Sequence, residues 1–181
     1  MLSLPGFCQN LVSNGGFETG SFTSWSSSGG GSFSVVSSGF NGSAPQGTYY
    51  ASVRSIGSAS GTISQSFTTV VGALYQVSYS LAFAEIFNSG SFSSSITSGT
   101  TRTLESLSNP NGFSWASRTF TFTANSTTST ISFSASSSFS SWGLDNISVV
   151  QKVPELSVQS AATPLLAVCL MVLIGFERRR G

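Results

Sequence analysis

The stretch Tyr75-Gln76-Val77-Ser78-Tyr79-Ser80-Leu81-Ala82-Phe83 decides the fold, because its odd positions are large and its even positions small or polar. Alternation at period two over this length marks a strand with one face in a core and one in water. Thr119-Phe120-Thr121-Phe122-Thr123 and Thr130-Ile131-Ser132-Phe133-Ser134 repeat the pattern. Working outward, the same reading predicts strands near 11–12, 33–37, 49–55, 62–68, 75–83, 91–97, 114–123, 130–136 and 146–151. Turn-formers separate them: Asn41-Gly42, Val71-Gly72, Ser89-Gly90, Asn109-Pro110-Asn111-Gly112 and Asn125. No segment before the C-terminal tail has a capped 3.6-residue apolar period. Many short strands without helices predict an all-β antiparallel β-sandwich.

Ser and Gly make up about a third of the chain, while 7% is charged and 12% aromatic. A Ser/Gly-rich, weakly charged chain could be a flexible linker. Fifteen Phe, four Tyr and three Trp argue instead for a packed core. The body, residues 9–151, has the length of one domain. Cys8 and Cys169 lie outside it, so no disulfide or Cys-based metal site forms there.

The inventory argues against an enzyme. With no histidine, there is no Ser-His pair, no His ligand and no neutral-pH imidazole base. Gly112-Phe113-Ser114-Trp115-Ala116 imitates part of a nucleophile elbow, but its serine lacks a base. A glycosidase needs two facing carboxylates, and the body offers only Glu18, Glu85, Glu105 and Asp145. Glu85 and Glu105 read as solvated rim residues or as partners for Arg102 and Arg118. No basic stripe exists for nucleic acid, and no Gly-rich phosphate loop joins a strand to a helix.

The ends read as targeting segments. In the tail, 152–181, Val153-Pro154-Glu155-Leu156 precedes an apolar run from Ala161 to Phe176, and Arg178, Arg179 and Arg180 follow. An apolar run closed by arginines reads as a transmembrane helix over about 161–176 with a cytoplasmic basic tail at 178–180, placing the body across the membrane. The alternative is a buried C-terminal helix. The tail resembles the PEP-CTERM sorting signal of Gram-negative bacteria, with Leu156 where the second proline belongs. That resemblance implies an exosortase-type partner cutting near Pro154-Glu155 and releasing the body to the cell surface or extracellular matrix; uncut, the body stays membrane-anchored. Residues 1–8 read as the remnant of a truncated signal peptide, consistent with export.

The body resembles the galactose-binding-like jelly rolls that include many carbohydrate-binding modules. The resemblance rests on Asn10-Leu11-Val12-Ser13-Asn14-Gly15-Gly16-Phe17-Glu18 with Trp25, on Ile63-Ser64-Gln65-Ser66-Phe67 with the hairpin around Tyr75–Tyr79, and on Trp142-Gly143-Leu144-Asp145-Asn146-Ile147. It implies adjacent first and last strands, with Glu18 and Asp145 holding a structural Ca2+ beside carbonyls of a loop such as Gly29-Gly30-Gly31. Otherwise Glu18 caps backbone amides and Asp145 anchors a turn. Sugar binding needs an exposed aromatic face to stack on a pyranose ring. Trp115, Trp142, Tyr49, Tyr50 and Phe139 fall off the core pattern, whereas Trp25 reads as core. Tyr50 and Trp115 are the candidate platform, with core burial the competing role for each.

The expected function is therefore noncatalytic binding to, or embedding in, extracellular polysaccharide by an exported, surface-associated protein. The alternatives are a structural envelope or biofilm matrix protein without a sugar site, and a protein–protein adhesin.

Overall fold

The computed structural model describes residues 9–31, 33–53, 59–86 and 89–152. The readings of residues 1–8, of Val153, Pro154 and Glu155, of the apolar run and of Arg178, Arg179 and Arg180 lie outside the described residues. Twelve strands follow in order: β1 (Ser26–Gly29), β2 (Phe33–Val36), β3 (Ser38–Gly39), β4 (Gly42–Ser43), β5 (Tyr50–Val53), β6 (Gly61–Thr68), β7 (Leu74–Ala84), β8 (Gly90–Ser98), β9 (Thr100–Ser108), β10 (Phe113–Thr123), β11 (Thr128–Ser137) and β12 (Ser141–Gln151). One sheet has the order β1-β6-β11-β8-β9, the other β10-β7-β12-β5-β2, and β3-β4 forms a separate hairpin. All these pairings are antiparallel.

The period-two pattern determines which side chains meet. Tyr75, Val77, Tyr79, Leu81 and Phe83 of β7 are buried against Ile63, Phe92, Ile96, Ile131 and Phe133 from the facing sheet. Tyr79 meets Phe133 edge-on at 5.1 Å, and Phe83 stacks on Trp142 at 4.1 Å. Trp25 is in the core as read, with its indole N–H donating to the Asn14 carbonyl at 3.1 Å.

The sandwich is also pinned by polar bridges at its β9/β10 edge. Arg118 Nε lies 2.9 Å from Glu105 Oε1, linking strands of opposite sheets. The Tyr79 hydroxyl donates to Glu105 Oε2 at 2.7 Å, and burial pushes that hydroxyl's pKa well above the phenol range. Arg102 donates to the Thr121 carbonyl at 3.1 Å, and Glu85 accepts from the Gly112 amide at 2.7 Å. Thus Glu105 takes the partner role with Arg118.

The chain start behaves differently from expectation. Residues 11–12 form no strand, yet the segment runs beside β12: the Leu11 amide donates to Val149 O at 2.8 Å, and the Ile147 amide donates to Gly15 O at 2.9 Å. Asn10 clips it further, accepting from the Val149 amide and donating to Ile147 O. Close approach explains Gly15, where a Cβ would collide with the Ile147 carbonyl.

The outer face of the first sheet has one chemistry. Across it, cross-strand partners line up in rows such as Ser26–Ser64–Ser132–Ser95–Thr103 and Ser28–Thr62–Ser134–Ser93–Ser106. The inward positions between them hold the core residues named above.

Candidate functional site: a groove on the second sheet and a carboxylate pair beside it

The outer face of the second sheet carries a groove of about 370 Å³, lined by Phe40, Asn41, Ala82, Ala84, Phe113 and Trp115 among others. That size falls within the range of small-ligand clefts. Its geometry begins with a β-bulge in β10. Opposite β7, Phe113 pairs with Phe83 and Ala116 with Leu81, so one extra residue separates the two pairs. Bulges re-aim side chains; here the half-buried Trp115 lies over β12. A Cβ on Gly143 would lie 2.6 Å from Trp115 Cη2, so the absence of a side chain there makes room for the indole. The indole N–H donates to Ser43 O of the β3–β4 hairpin at 3.0 Å, fixing the ring's rotation. Ala82 is a small floor residue, and Phe40, 55% exposed, stands at the groove wall.

Tyr50 does not provide an exposed face. It lies on the same side of the sheet, but the β3–β4 hairpin covers it completely: a Cβ on Gly39 would sit 2.9 Å from its hydroxyl. Burial pushes its pKa up. The ring meets Trp115 edge-on at 5.2 Å and 82°, so Tyr50 supports the platform residue from beneath. Trp142 is also corrected to core. It is 1% exposed, stacked on Phe83, and donates to Ser136 O at 3.0 Å. Tyr49 is half-buried against the core, while Phe139 is 45% exposed. Of the five aromatics singled out, only Trp115 lines the groove.

Sequence reasoning missed Phe40 and Asn41. The Asn41-Gly42 turn signal was visible, but nothing local says that the hairpin folds over Tyr50. Asn41 Nδ2 donates to Ser141 Oγ at 3.2 Å, tying the hairpin to β12, while its buried Oδ1 has no hydrogen-bond partner.

Glu18 and Asp145 are brought together. A Cβ on Gly16 would lie 3.7 Å from both Asp145 Oδ1 and Glu18 Cγ. The two Glu18 oxygens accept from the amides of Thr48 and Tyr49 at 3.0 Å, the amide-capping role considered for it. Asp145 is fully buried; its Oδ1 accepts from the Asn146 amide at 2.7 Å, and its Oδ2 has no hydrogen-bond partner. Burial, with a smaller push from Glu18, raises its pKa to about 6, while backbone amides of Asn146 and Gln46 oppose the rise. The backbone explains the position: β12 slips register between Asp145 and Ser148, with Asn146 at φ 52°. An orphaned buried carboxylate oxygen beside a second carboxylate fits a hard cation. Among the described residues no cluster of three or more His, Cys, Asp or Glu forms, so the other ligands would be carbonyls and water. The Gly29–Gly31 segment instead runs beside Ser60 and Gly61.

The architecture is that of the β-sandwich jelly rolls found in carbohydrate-binding modules. TmCBM61, solved in complex with β-1,4-galactotriose, superposes with a TM-score of 0.67 at 21% identity, covering 80% of this chain and 99% of that one. A CBM22-1 xylan-binding domain from Paenibacillus barcinonensis gives a TM-score of 0.55 at 15% identity, covering 82% and 97%. The enzymatically active domain of bacteriophage CBA120 tailspike protein 4 gives 0.60 at 13% identity, with this chain spanning 21% of it. No family model and no curated protein matches the sequence. At these identities the likeness is one of fold.

Proposed function

We propose that this domain binds polysaccharide without catalysis, in the groove beside Trp115. The observation carrying the reading is the placement of that indole: aimed by a bulge, seated over Gly143 and held by Ser43 O. A ring held this way presents a preorganised surface for a pyranose, while the exposed Ser114 offers a hydroxyl for hydrogen bonding. Among the described residues the groove lining contains no titratable side chain, which supports binding over turnover. Solved proteins of this fold include the galactotriose complex and the xylan-binding domain.

In this reading Glu18 and Asp145 hold a Ca2+ that neutralises their paired charge and stabilises the junction of the opening segment with β12. The tail anchors the exported body in a membrane until an exosortase-type enzyme cuts near Pro154-Glu155, leaving the domain at the surface or in extracellular polysaccharide.

The test is retention of the full chain on a panel of soluble and insoluble polysaccharides. Trp115→Ala is expected to abolish retention on whichever glycan binds, with the melting temperature little changed because the indole is half-buried. Retention by no glycan, or retention indifferent to Trp115→Ala, would assign the domain to a structural matrix role. Gly143→Val is a second check. Its side chain would push the indole off β12, so retention should fall with the near-ultraviolet signal of Trp115 altered and the fold intact.

A further inference from the structure

The outer face of the first sheet is chemically uniform. Every outward position of β6, β8, β9 and β11 is Ser or Thr, and Ser26 and Ser28 of β1 extend the rows. Uniformity in a Ser-rich chain would be unremarkable if charges interrupted it, but the charged residues of this sheet turn away. Glu105 pairs with Arg118 and Arg102 reaches the Thr121 carbonyl, both in the facing sheet. Among the described residues no aromatic side chain stands on the face, so they provide no stacking platform for a pyranose there.

The hydroxyls form a two-dimensional repeat. Strand spacing places the backbones that carry them about 4.8 Å apart along each row, and alternate residues separate successive rows by about 6.8 Å. Neighbouring hydroxyls are linked sideways, fixing their rotors: Thr62–Ser134 at 2.7 Å, Ser66–Thr130 and Ser91–Ser136 at 2.8 Å, and Thr97–Thr101 at 2.9 Å. Each oxygen keeps a lone pair for an outside donor.

For a dissolved ligand such a face gains little, since each contact only exchanges one hydrogen bond with water for another. The balance differs for a solid whose hydrogen-bonding groups already repeat on the same scale. Its ordering entropy has been lost beforehand, and many small contacts add while register holds. An uncharged lattice of oxygens repeating every few ångströms in two directions is what crystalline water presents. The geometry points to this face as an ice-binding surface, centred on β6, β11 and β8, where sheet twist displaces the rows least. Waters held between successive rows of hydroxyls would form the first layer of the lattice, and Thr methyls would exclude disordered water between them.

The test grows ice slowly from a solution of the full chain and measures the fraction carried into the solid against a neutral control protein. Enrichment in the ice is expected, with inhibition of ice recrystallisation. Ser132→Lys, in the centre of the face, should lose that enrichment with an unchanged melting temperature, because its side chain points to solvent. Ser132→Thr should keep it, and Trp115→Ala, on the opposite sheet, should leave it untouched. Exclusion of the full chain from ice, or partition indifferent to Ser132→Lys, would overturn the inference. So would retention on crystalline cellulose or chitin that Ser132→Lys abolishes while ice partition stays at the control level; that result would assign the face to crystalline polysaccharide.

Discussion

Trp142→Ala is expected to destabilise the domain by about 3–5 kcal/mol, the usual cost of truncating a large buried aromatic side chain. The indole is 1% exposed, stacks on Phe83 at 4.1 Å, lies 5.4 Å from Phe92 and 6.2 Å from Phe113, and donates to Ser136 O. Its removal opens a cavity between the sheets and leaves the Ser136 carbonyl without that donor. Small domains are stable by roughly 5–15 kcal/mol, so this one change consumes a large part of the margin. A fall in melting temperature of about 10–20 °C follows for a domain of this size, measurable by circular dichroism. Phe83 and Phe113 also line the groove, so glycan retention should weaken well below melting. Trp142→Phe should recover most of the stability. A melting temperature for Trp142→Ala within a few degrees of the parent would refute the packing described.

The second large effect concerns Asp145. Its pKa rises from 3.8 to about 6 in the folded protein, chiefly through burial. A carboxyl raised by folding holds its proton more tightly in the native state, so its stabilising contribution is full below the unfolded value near pH 4. It is lost as pH rises to about 6, by about 3 kcal/mol in all. In chelator, urea unfolding should therefore show a less stable protein at pH 7 than at pH 4, once other acids are subtracted using Asp145→Asn, which lacks this dependence. Ca2+ at about a hundred times its dissociation constant should restore about 2.7 kcal/mol at pH 7. At pH 4 it should restore much less, because it must first displace the proton. Equal effects of Ca2+ on the parent and on Asp145→Asn would exclude the proposed site.

These two residues also show how far the sequence could be read. Trp142 and Asp145 sit three positions apart in one strand, and the closing-strand resemblance located both. The pattern alone could not separate the side of the sheet facing the core from a side covered by something else. Trp142 fell off the local alternation and read as a possible surface residue, yet it is core because β8 and β10 close over it.

β1 and β9 escaped detection for a related reason. β1 is Ser-Ser-Ser-Gly and exposed throughout, while β9 places Arg102 and Glu105 at inward positions and pairs with β8 through a register shift between Ser94 and Ser95. Edge strands bury little, so they carry little periodic signal.

By itself the sequence determined the class of architecture, because period-two alternation in β7, β10 and β11 needs only the pleat to assign inside and outside. It also brought Glu18 and Asp145 into consideration as a pair and excluded imidazole chemistry outright. Tertiary structure decided the rest. Tyr50 and Trp115 looked equivalent as residues, but the hairpin of β3 and β4 buries the first while the bulge in β10 and the bare backbone at Gly143 seat the second at a groove. The continuous hydroxyl face likewise appears only when β1, β6, β11, β8 and β9 align, since register between strands distant in sequence is set by packing and hydrogen bonding across the sheet.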